Sequence, residues 1–430
     1  MKNTFVSKIM INKARHLKNI TLELSRHERK HLILTGKNGS GKTSVLQAIR
    51  NNLKVIEDKN VTNVENWKGF ILNQNNIVKD LERQLKEEKI PTEERSRLEQ
   101  YINNSLRDID QMSKSVDKYE HSVRVHFNNP SILESMYDNG QFILAYYDSK
   151  RSSNMNIPSG IKKIELNTTY KFDENPGISF VQYLVNLRAQ KSFARDEGHH
   201  DEVRKIDRWF RKFERGLRDV FEKDIKLEFD YQNYNFNIIE TGKEKYNLNT
   251  LSDGYSAVLN IITDLIMRME KRNSKAYDIT GVVLIDEIET HLHVSLQKKI
   301  LPFLSDFFPN IQFIITTHSP FVLNSIEDAI IYDLEHQLRL EDLSSLSYSG
   351  IIEGYFNIDK YSNIAKDKFK DYQLLFEKDR LNMLNNEEID RMMDLKMYLK
   401  EVPDYLSPEL KSKFYELEAI RIADNMEMKK

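Results

Sequence analysis

The residues best suited to chemistry form the run Gly36-Lys37-Asn38-Gly39-Ser40-Gly41-Lys42-Thr43, which obeys the pattern G-x-x-x-x-G-K-[ST]. Glycine at those positions lets backbone N–H groups wrap a phosphate. The Lys42 ammonium reaches the β and γ phosphates, and the Thr43 hydroxyl is a hard ligand for Mg2+. Gly36, Asn38, Gly39, Ser40, Gly41, Lys42, Thr43 and Ser44 are therefore expected to hold the phosphates of ATP. Farther along, the apolar run Val282-Val283-Leu284-Ile285 ends in Asp286-Glu287. Asp286 is expected to hold Mg2+, directly or through water, and Glu287 to polarise an attacking water. Thr316-Thr317-His318-Ser319-Pro320 closes another apolar run, and a neutral His318 there can hydrogen-bond a terminal phosphate or orient the water. Lys42, Glu287 and His318 are the catalytic candidates. Ser252, in Leu251-Ser252-Asp253-Gly254-Tyr255, opens a helix, where a hydroxyl and the following N–H groups form an anion site. Capping of that helix is the plainer reading of Ser252.

These residues need particular elements to position them. Residues 4–35 alternate in polarity as three strands would, the last running into the glycine-rich loop, and Val45, Leu46, Ala48 and Ile49 then share one helical face. Strand, loop and helix in that order are the setting a phosphate loop requires. Residues 142–147 predict a buried strand, 179–223 helix, 226–239 a hairpin and 252–271 a long helix. Strands at 281–285 and 311–316 with a helix between them give a βαβ unit, hence a parallel sheet and an α/β fold. Residues 71–124 are charged and heptad-like, broken at Pro91-Thr92, and predict an antiparallel helical hairpin. Its first arm, about 30 Å at 1.5 Å per residue, suits docking or dimerisation better than long-range tethering.

Composition narrows the class. There are 64 Lys+Arg against 66 Asp+Glu, a formal net charge of −2, so any hold on nucleic acid has to come from a local patch. No cysteine is present, which removes thiolate metal sites, cysteine nucleophiles and disulfides together. No stretch approaches the ~20 apolar residues of a membrane span, so a soluble, cytoplasmic protein is expected. His291 and His293, like His199 and His200, lack zinc spacing with further ligands. The window 188–218 is basic, with Phe193, Trp209, Phe210 and Phe213 interleaved, which makes it a candidate DNA contact beside the simpler reading of an amphipathic helix.

Taken in order along the chain, Gly36–Ser44, Leu251–Tyr255, Ile285-Asp286-Glu287 and Thr317-His318-Ser319-Pro320 resemble the motifs of ABC-type ATPases of the SMC and RecF kind. The resemblance implies an ATPase head with a short hairpin insertion and a helical appendage. It also implies a head-to-tail dimer with ATP held between the phosphate loop of one subunit and Ser252 and Gly254 of the other. Arg15 falls where relatives place an arginine near the nucleotide, and Gln141 and Asp148 are candidates for the Q-loop residue. Two departures stand out: Asp253 adds a carboxylate to the signature, and the hairpin is far shorter than in SMC proteins. More narrowly, the segments around Asp286–His293 and Phe308–Ile314 are similar to standalone ATPases of bacterial anti-phage systems such as Septu, PARIS and some retrons, which act with a separate nuclease or toxin.

The expected organisation is residues 1–70 for the first part of the head with its phosphate loop, and 71–124 for the hairpin. Residues 125–332 carry the remaining head with signature, carboxylate pair and switch histidine, and 333–430 a helical C-terminal region. The expected function is an ATP-hydrolysing subunit that controls an anti-phage effector. The alternative is a DNA-repair or DNA-clamp ATPase. A nucleotide switch that barely turns over is a third reading, against which Glu287 argues.

Overall fold

Six strands form the sheet on which the site is built. In the computed structural model, which describes residues 4–86, 90–271, 279–340, 363–381, 383–401 and 408–427, the chain divides into compact units Met1–Leu346 and Ser347–Lys430. The first unit begins with β1 (Val6–Ala14), β2 (Leu17–Glu23) and β3 (His31–Thr35), then α1 (Lys42–Glu57). The helices α2 (Val61–Gln84) and α3 (Thr92–Glu120) follow, with β4 (Val123–Phe127), α4 (Leu133–Asp138) and β5 (Phe142–Tyr147). Next come α5 (Phe180–Asp196), α6 (His200–Phe221), β6 (Ile225–Asp230), β7 (Asn235–Glu240), β8 (Tyr246–Asn247) and α7 (Asp253–Glu270). The unit closes with β9 (Thr280–Ile285), α8 (Val294–Gln297), α9 (Ile300–Phe307), β10 (Ile311–Thr316), α10 (Pro320–Leu323), β11 (Ala329–Asp333) and β12 (Leu338–Leu340).

The main sheet has the order β12-β11-β3-β10-β9-β5, parallel except for the edge pair β11–β12. Its inner strands β3, β9 and β10 are buried along their whole length, as continuous apolar runs in a parallel sheet must be. The three strands read from residues 4–35 separate here: β1 and β2 join β4 in an antiparallel sheet, whereas β3 enters the parallel one. Leu32 and Leu34 of β3, Leu46 and Ile49 of α1, and Ile9 and Ile11 of β1 share one core. Gln312 joins the two sheets. Its amide oxygen accepts from the Val6 N–H at 2.7 Å, and its Nε2 donates to the Val6 and Lys30 carbonyls at 2.9 and 2.7 Å. A third sheet, β6-β7-β8, adjoins α5 and α6, where Phe180, Trp209 and Phe213 form an aromatic cluster.

The helical hairpin is α2 with α3; α3 begins directly after Pro91, and α2 starts at Val61 rather than near 71. Leu72, Tyr101 and Leu106 stay exposed on it, because two helices alone can cover only one seam. The sheet continues through β12, past residue 333. In the second unit α11 (Asn363–Arg380), α12 (Asn386–Glu401) and α13 (Pro408–Glu427) enclose Tyr372, Phe376, Met392, Leu399 and Phe414. Of the helical region expected over 333–430, residues 341–362 lie outside the described residues. Among the described residues no helix is long and apolar enough to cross a membrane.

Replacing the buried Gln312 with leucine removes three hydrogen bonds and strands their backbone partners between the sheets. Gln312→Leu is expected to lower unfolding free energy by about 3 kcal/mol, read from the urea midpoint at unchanged slope; a change below about 1 kcal/mol would mean that the sheets are joined by packing alone.

Candidate active site

Parallel pairing places the C-terminal ends of β3, β10 and β9 side by side, and each ends in one of the candidate motifs. After Thr35 the chain turns sharply at Gly36, whose φ is +129°; a Cβ there would lie 2.8 Å from Ser40 Oγ and 3.2 Å from Asp333 Oδ1. Gly41 (φ +99°) adopts the left-handed conformation immediately before α1, so the free N–H groups of the first helical turn open toward the loop. Among the described residues the buried Ser40 hydroxyl has no hydrogen-bond partner. The Lys42 ammonium folds back over the loop and donates to the Gly36 and Lys37 carbonyls at 2.8 and 3.0 Å. Lys37, Asn38 and Gly39 form its exposed tip. Glu335, beyond β11, accepts from the Lys37 N–H and ammonium at 3.1 and 2.9 Å and so holds that tip.

Thr43 and Asp286, 243 residues apart, meet at 3.2 Å between Oγ1 and Oδ1. Two hard oxygens so close, one of them a buried carboxylate, are a donor set that would fit Mg2+. The Thr316 hydroxyl reaches the same carboxylate oxygen. It donates to Asp286 Oδ1 at 2.6 Å and accepts from the Glu287 N–H at 2.7 Å. Glu287 is left-handed (φ +46°), with Thr290 Oγ1 donating to its carboxylate at 3.2 Å. Glu289 accepts from the Thr317 hydroxyl at 2.7 Å and from the His318 N–H, which pins the histidine loop to the carboxylate turn. Burial lowers the pKa of Lys42, opposed by the carboxylates of Glu287, Glu289, Asp286 and Asp333. Burial and then the Lys42 charge lower that of His318, keeping the imidazole neutral near pH 7.

Arg15 sits in the exposed β1–β2 turn, and its neighbours Leu17 and His16 approach the place of a Gly41 Cβ at 3.1 and 3.8 Å. That turn therefore borders the phosphate loop. Of the Q-loop candidates, Asp148 follows β5 at the same sheet edge as Asp286, whereas Gln141 precedes β5 at the opposite edge. Ser252 and Gly254 lie elsewhere, lining a cavity of about 460 Å³ with Phe221, Glu222, His291 and His293. Gly254 is required there, because a Cβ would meet the His291 carbonyl at 2.6 Å. Ser252 occupies the residue before α7, but its side chain makes no capping hydrogen bond.

The interleaved aromatics of 188–218 do not form a base-stacking face: Trp209, Phe210 and Phe213 are buried, and only Phe193 is exposed. Arg204, Lys205 and Lys191 pair with Asp201, Glu202 and Asp207. Among the described residues no group of three His, Cys, Asp or Glu is placed to hold a metal. His293 instead caps α8 through Ser295, and His199 pairs with Glu197 at 3.5 Å.

Arg151, Thr316 and Glu289 are site residues that motif reading passes over. The arginine is buried and donates to the backbone carbonyls of Asp148, Asp286, Glu287 and Ile288 at 2.7–2.9 Å. In the sequence, nothing distinguishes it from Lys150 beside it.

Fold and site together define a P-loop ATPase head on a mainly parallel sheet. The chain belongs to the family described as "AAA domain, putative AbiEii toxin, Type IV TA system", which it matches over residues 32–324. The Septu protein PtuA of Bacillus mycoides (strain KBAB4) is 25% identical over 433 aligned residues, covering 96% of this chain and 53% of that protein. This chain thus spans about half the length of that relative. The Retron Vc95 probable ATPase of Vibrio cholerae serotype O1 biovar El Tor is 24% identical over 406 residues, 78% of this chain and 77% of that protein. An Smc head domain with an extended coiled coil, from Pyrococcus furiosus and bound to the C-terminal domain of ScpA, aligns at 12% identity and a TM-score of 0.36, covering 82% of this chain and 99% of that one.

The His318 imidazole is expected to titrate below the ordinary 6.5, and Lys42→Met to raise that midpoint by removing the second cause of the shift. Histidine-selective NMR, with His318→Gln to assign the signal, reads both; a midpoint at or above 6.5 would mean that the ring is solvated and remote from Lys42.

Proposed function

We propose that this chain binds ATP with Mg2+ at the phosphate loop and hydrolyses it between two copies arranged head to tail, and that this cycle controls a separate nuclease or toxin of an anti-phage system. The observation that carries the reading is the meeting of Lys42, Thr43, Asp286, Glu287 and His318 at one edge of the sheet. In this reading Gly36, Asn38, Gly39, Ser40, Gly41 and Ser44 line the phosphates, Lys42 leaves its loop carbonyls to pair with them, and Arg15 borders the nucleotide. Thr43 and Asp286 would hold Mg2+, which when bound would neutralise phosphate charge. Glu287 accepts a proton from the attacking water, and neutral His318 donates a hydrogen bond to the terminal phosphate.

The two-copy arrangement is supported by the position of Ser252 and Gly254 on a cavity of their own, lined by other residues than the phosphate loop. A second subunit's phosphates would complete it. The effector part is supported by the relatives, which carry the names of Septu and retron proteins. The exposed apolar side chains of the α2–α3 hairpin and the separate helical unit are the surfaces we assign to that partner. The DNA-clamp alternative loses its main motivation with the burial of the α6 aromatics.

Lys42→Ala is expected to abolish ATP binding. Glu287→Gln should retain binding, lose at least about 100-fold in steady-state hydrolysis, and accumulate as a dimer with saturating ATP. Light scattering that finds only monomer in Glu287→Gln with ATP removes the shared-site mechanism. Mixing Ser252→Ala with Lys42→Ala subunits should restore one composite site per dimer. Purified through a tag from its native cells, the chain should bring a nuclease or toxin at fixed stoichiometry; DNA alone, or nothing, removes the effector part.

A further inference from the structure

We infer that Arg151 is a positioning residue for Glu287, holding the carboxylate turn by its main chain and fixing it to α7; the inference rests on the hydrolytic reading above. Nη1 donates to the Asp148 and Asp286 carbonyls at 2.8 and 2.7 Å, and Nη2 to the Glu287 and Ile288 carbonyls at 2.8 and 2.9 Å. Three consecutive carbonyls can converge on one guanidinium only if the chain curls around it, and Glu287 meets that demand with φ +46°, a conformation that a non-glycine residue holds only when its surroundings impose it. The opposite side of the same peptides is held by Thr316, whose hydroxyl accepts from the Glu287 N–H at 2.7 Å and whose carbonyl accepts from the Ile288 N–H at 3.1 Å. The turn is clamped from both sides. The direction of the Glu287 side chain is thereby set by groups that leave its carboxylate free of Arg151.

The choice of partner atoms matters. An arginine beside Asp286 and Glu287 would ordinarily form a bidentate ion pair with a carboxylate. Here the fork is filled by carbonyls, so its charge lies close to the carboxylates without occupying the oxygens assigned to Mg2+ and water. The segment that carries Arg151 is also tied to α7: the Ser153 N–H donates to Ser256 Oγ at 2.8 Å, and Asn260 Nδ2 donates to the Ser152 carbonyl at 3.1 Å. One short loop therefore joins α7 to the turn that carries Glu287. Lysine cannot replace this arrangement, since a single ammonium has no planar fork to reach four carbonyls.

The test uses full-length wild type, Arg151→Ala and Arg151→Lys. In Arg151→Ala, kcat for ATP hydrolysis is expected to fall about 100-fold, the scale of a misplaced catalytic group, with KM and fluorescent-ATP affinity unchanged. Arg151→Lys should be intermediate. Arg151 also lines a polar cavity of about 350 Å³, so millimolar guanidinium chloride should reach the vacated site and recover part of the rate in Arg151→Ala, whereas sodium chloride should not. Hydrogen exchange supplies a readout that does not depend on turnover: the peptide spanning 286–292 should exchange faster in Arg151→Ala and slow again with guanidinium. Unchanged exchange there overturns the inference even if wild type proves inactive, and an inactive wild type by itself overturns the hydrolytic reading instead. Equal loss of ATP affinity and kcat without guanidinium rescue would also overturn it, leaving Arg151 a residue of the core. Should Arg151→Ala fail to fold, Arg151→Lys carries the same comparison.

Discussion

The parallel register of β3, β10 and β9 is the constraint on which the site depends. Thr316 pairs with Leu34 on one side, and Ile315 with Ile285 on the other, so three chain reversals occur at one height. A slip of one residue would turn Thr316 away from Asp286 and break the hydroxyl bridge between that carboxylate and the Glu287 N–H. The register is in turn secured by burial. Leu32, Ile33, Leu34, Val283, Leu284, Ile314 and Ile315 are wholly enclosed, so a one-residue shift would move every one of them against the wrong face. Hydrophobic patterning thus specifies the site's geometry at a distance, through side chains that never touch it.

Charge is the second constraint, and it works against the first. A sheet edge buried well enough to fix side chains also removes water from Lys42, Asp286 and Arg151, all of which are buried. The chain answers by setting two cations among several carboxylates and by filling the cations' donors with backbone carbonyls. Lys42 rests on two carbonyls of its own loop, and Arg151 on four. The two differ in what holds them. Lys42 can exchange its two carbonyls for phosphate oxygens at little cost, because an anion replaces dipoles. Arg151, gripping three successive residues of one turn, has no such exchange open to it. One is built to move and the other to stay.

Much of this was legible in the sequence because the relevant signals are local. The phosphate loop announces itself in eight residues between a strand and a helix, and the Asp286-Glu287 and His318 motifs each end an apolar run. The hairpin followed from heptad spacing and Pro91, although Asn63, Asn66 and Gly69 in its first turns hid the start at Val61. What the sequence could not disclose depends on long-range pairing. Residues 4–35 read equally well as one sheet or as strands of two, and the pairing of β1 with β4 and of β3 with β10 and β11 decides between the cases. The α6 window carried the same aromatic and basic residues that a nucleic-acid face would. Whether Trp209 and Phe213 point to solvent or to Phe180 is decided by an element some thirty positions upstream. Arg151 had no signal at all, since its partners are backbone atoms and any sequence supplies those.

Ser252 and Gly254 are tied to the carboxylate turn through α7. Within one chain, Ser252 and Gly254 open onto a cavity shared with His291 and His293, and the Gly254 backbone lies directly against the His291 carbonyl. His291 stands five residues after Asp286 in the same turn that Arg151 and Thr316 clamp. The start of α7 and the carboxylate turn are consequently joined twice: by the Gly254–His291 approach, and by the Ser152–Ser153 segment on Ser256 and Asn260. A displacement of α7 cannot occur without stress on the turn that holds Glu287. Gly254 sets the closeness of that connection, since a Cβ there would meet the His291 carbonyl at 2.6 Å and force α7 away from the turn.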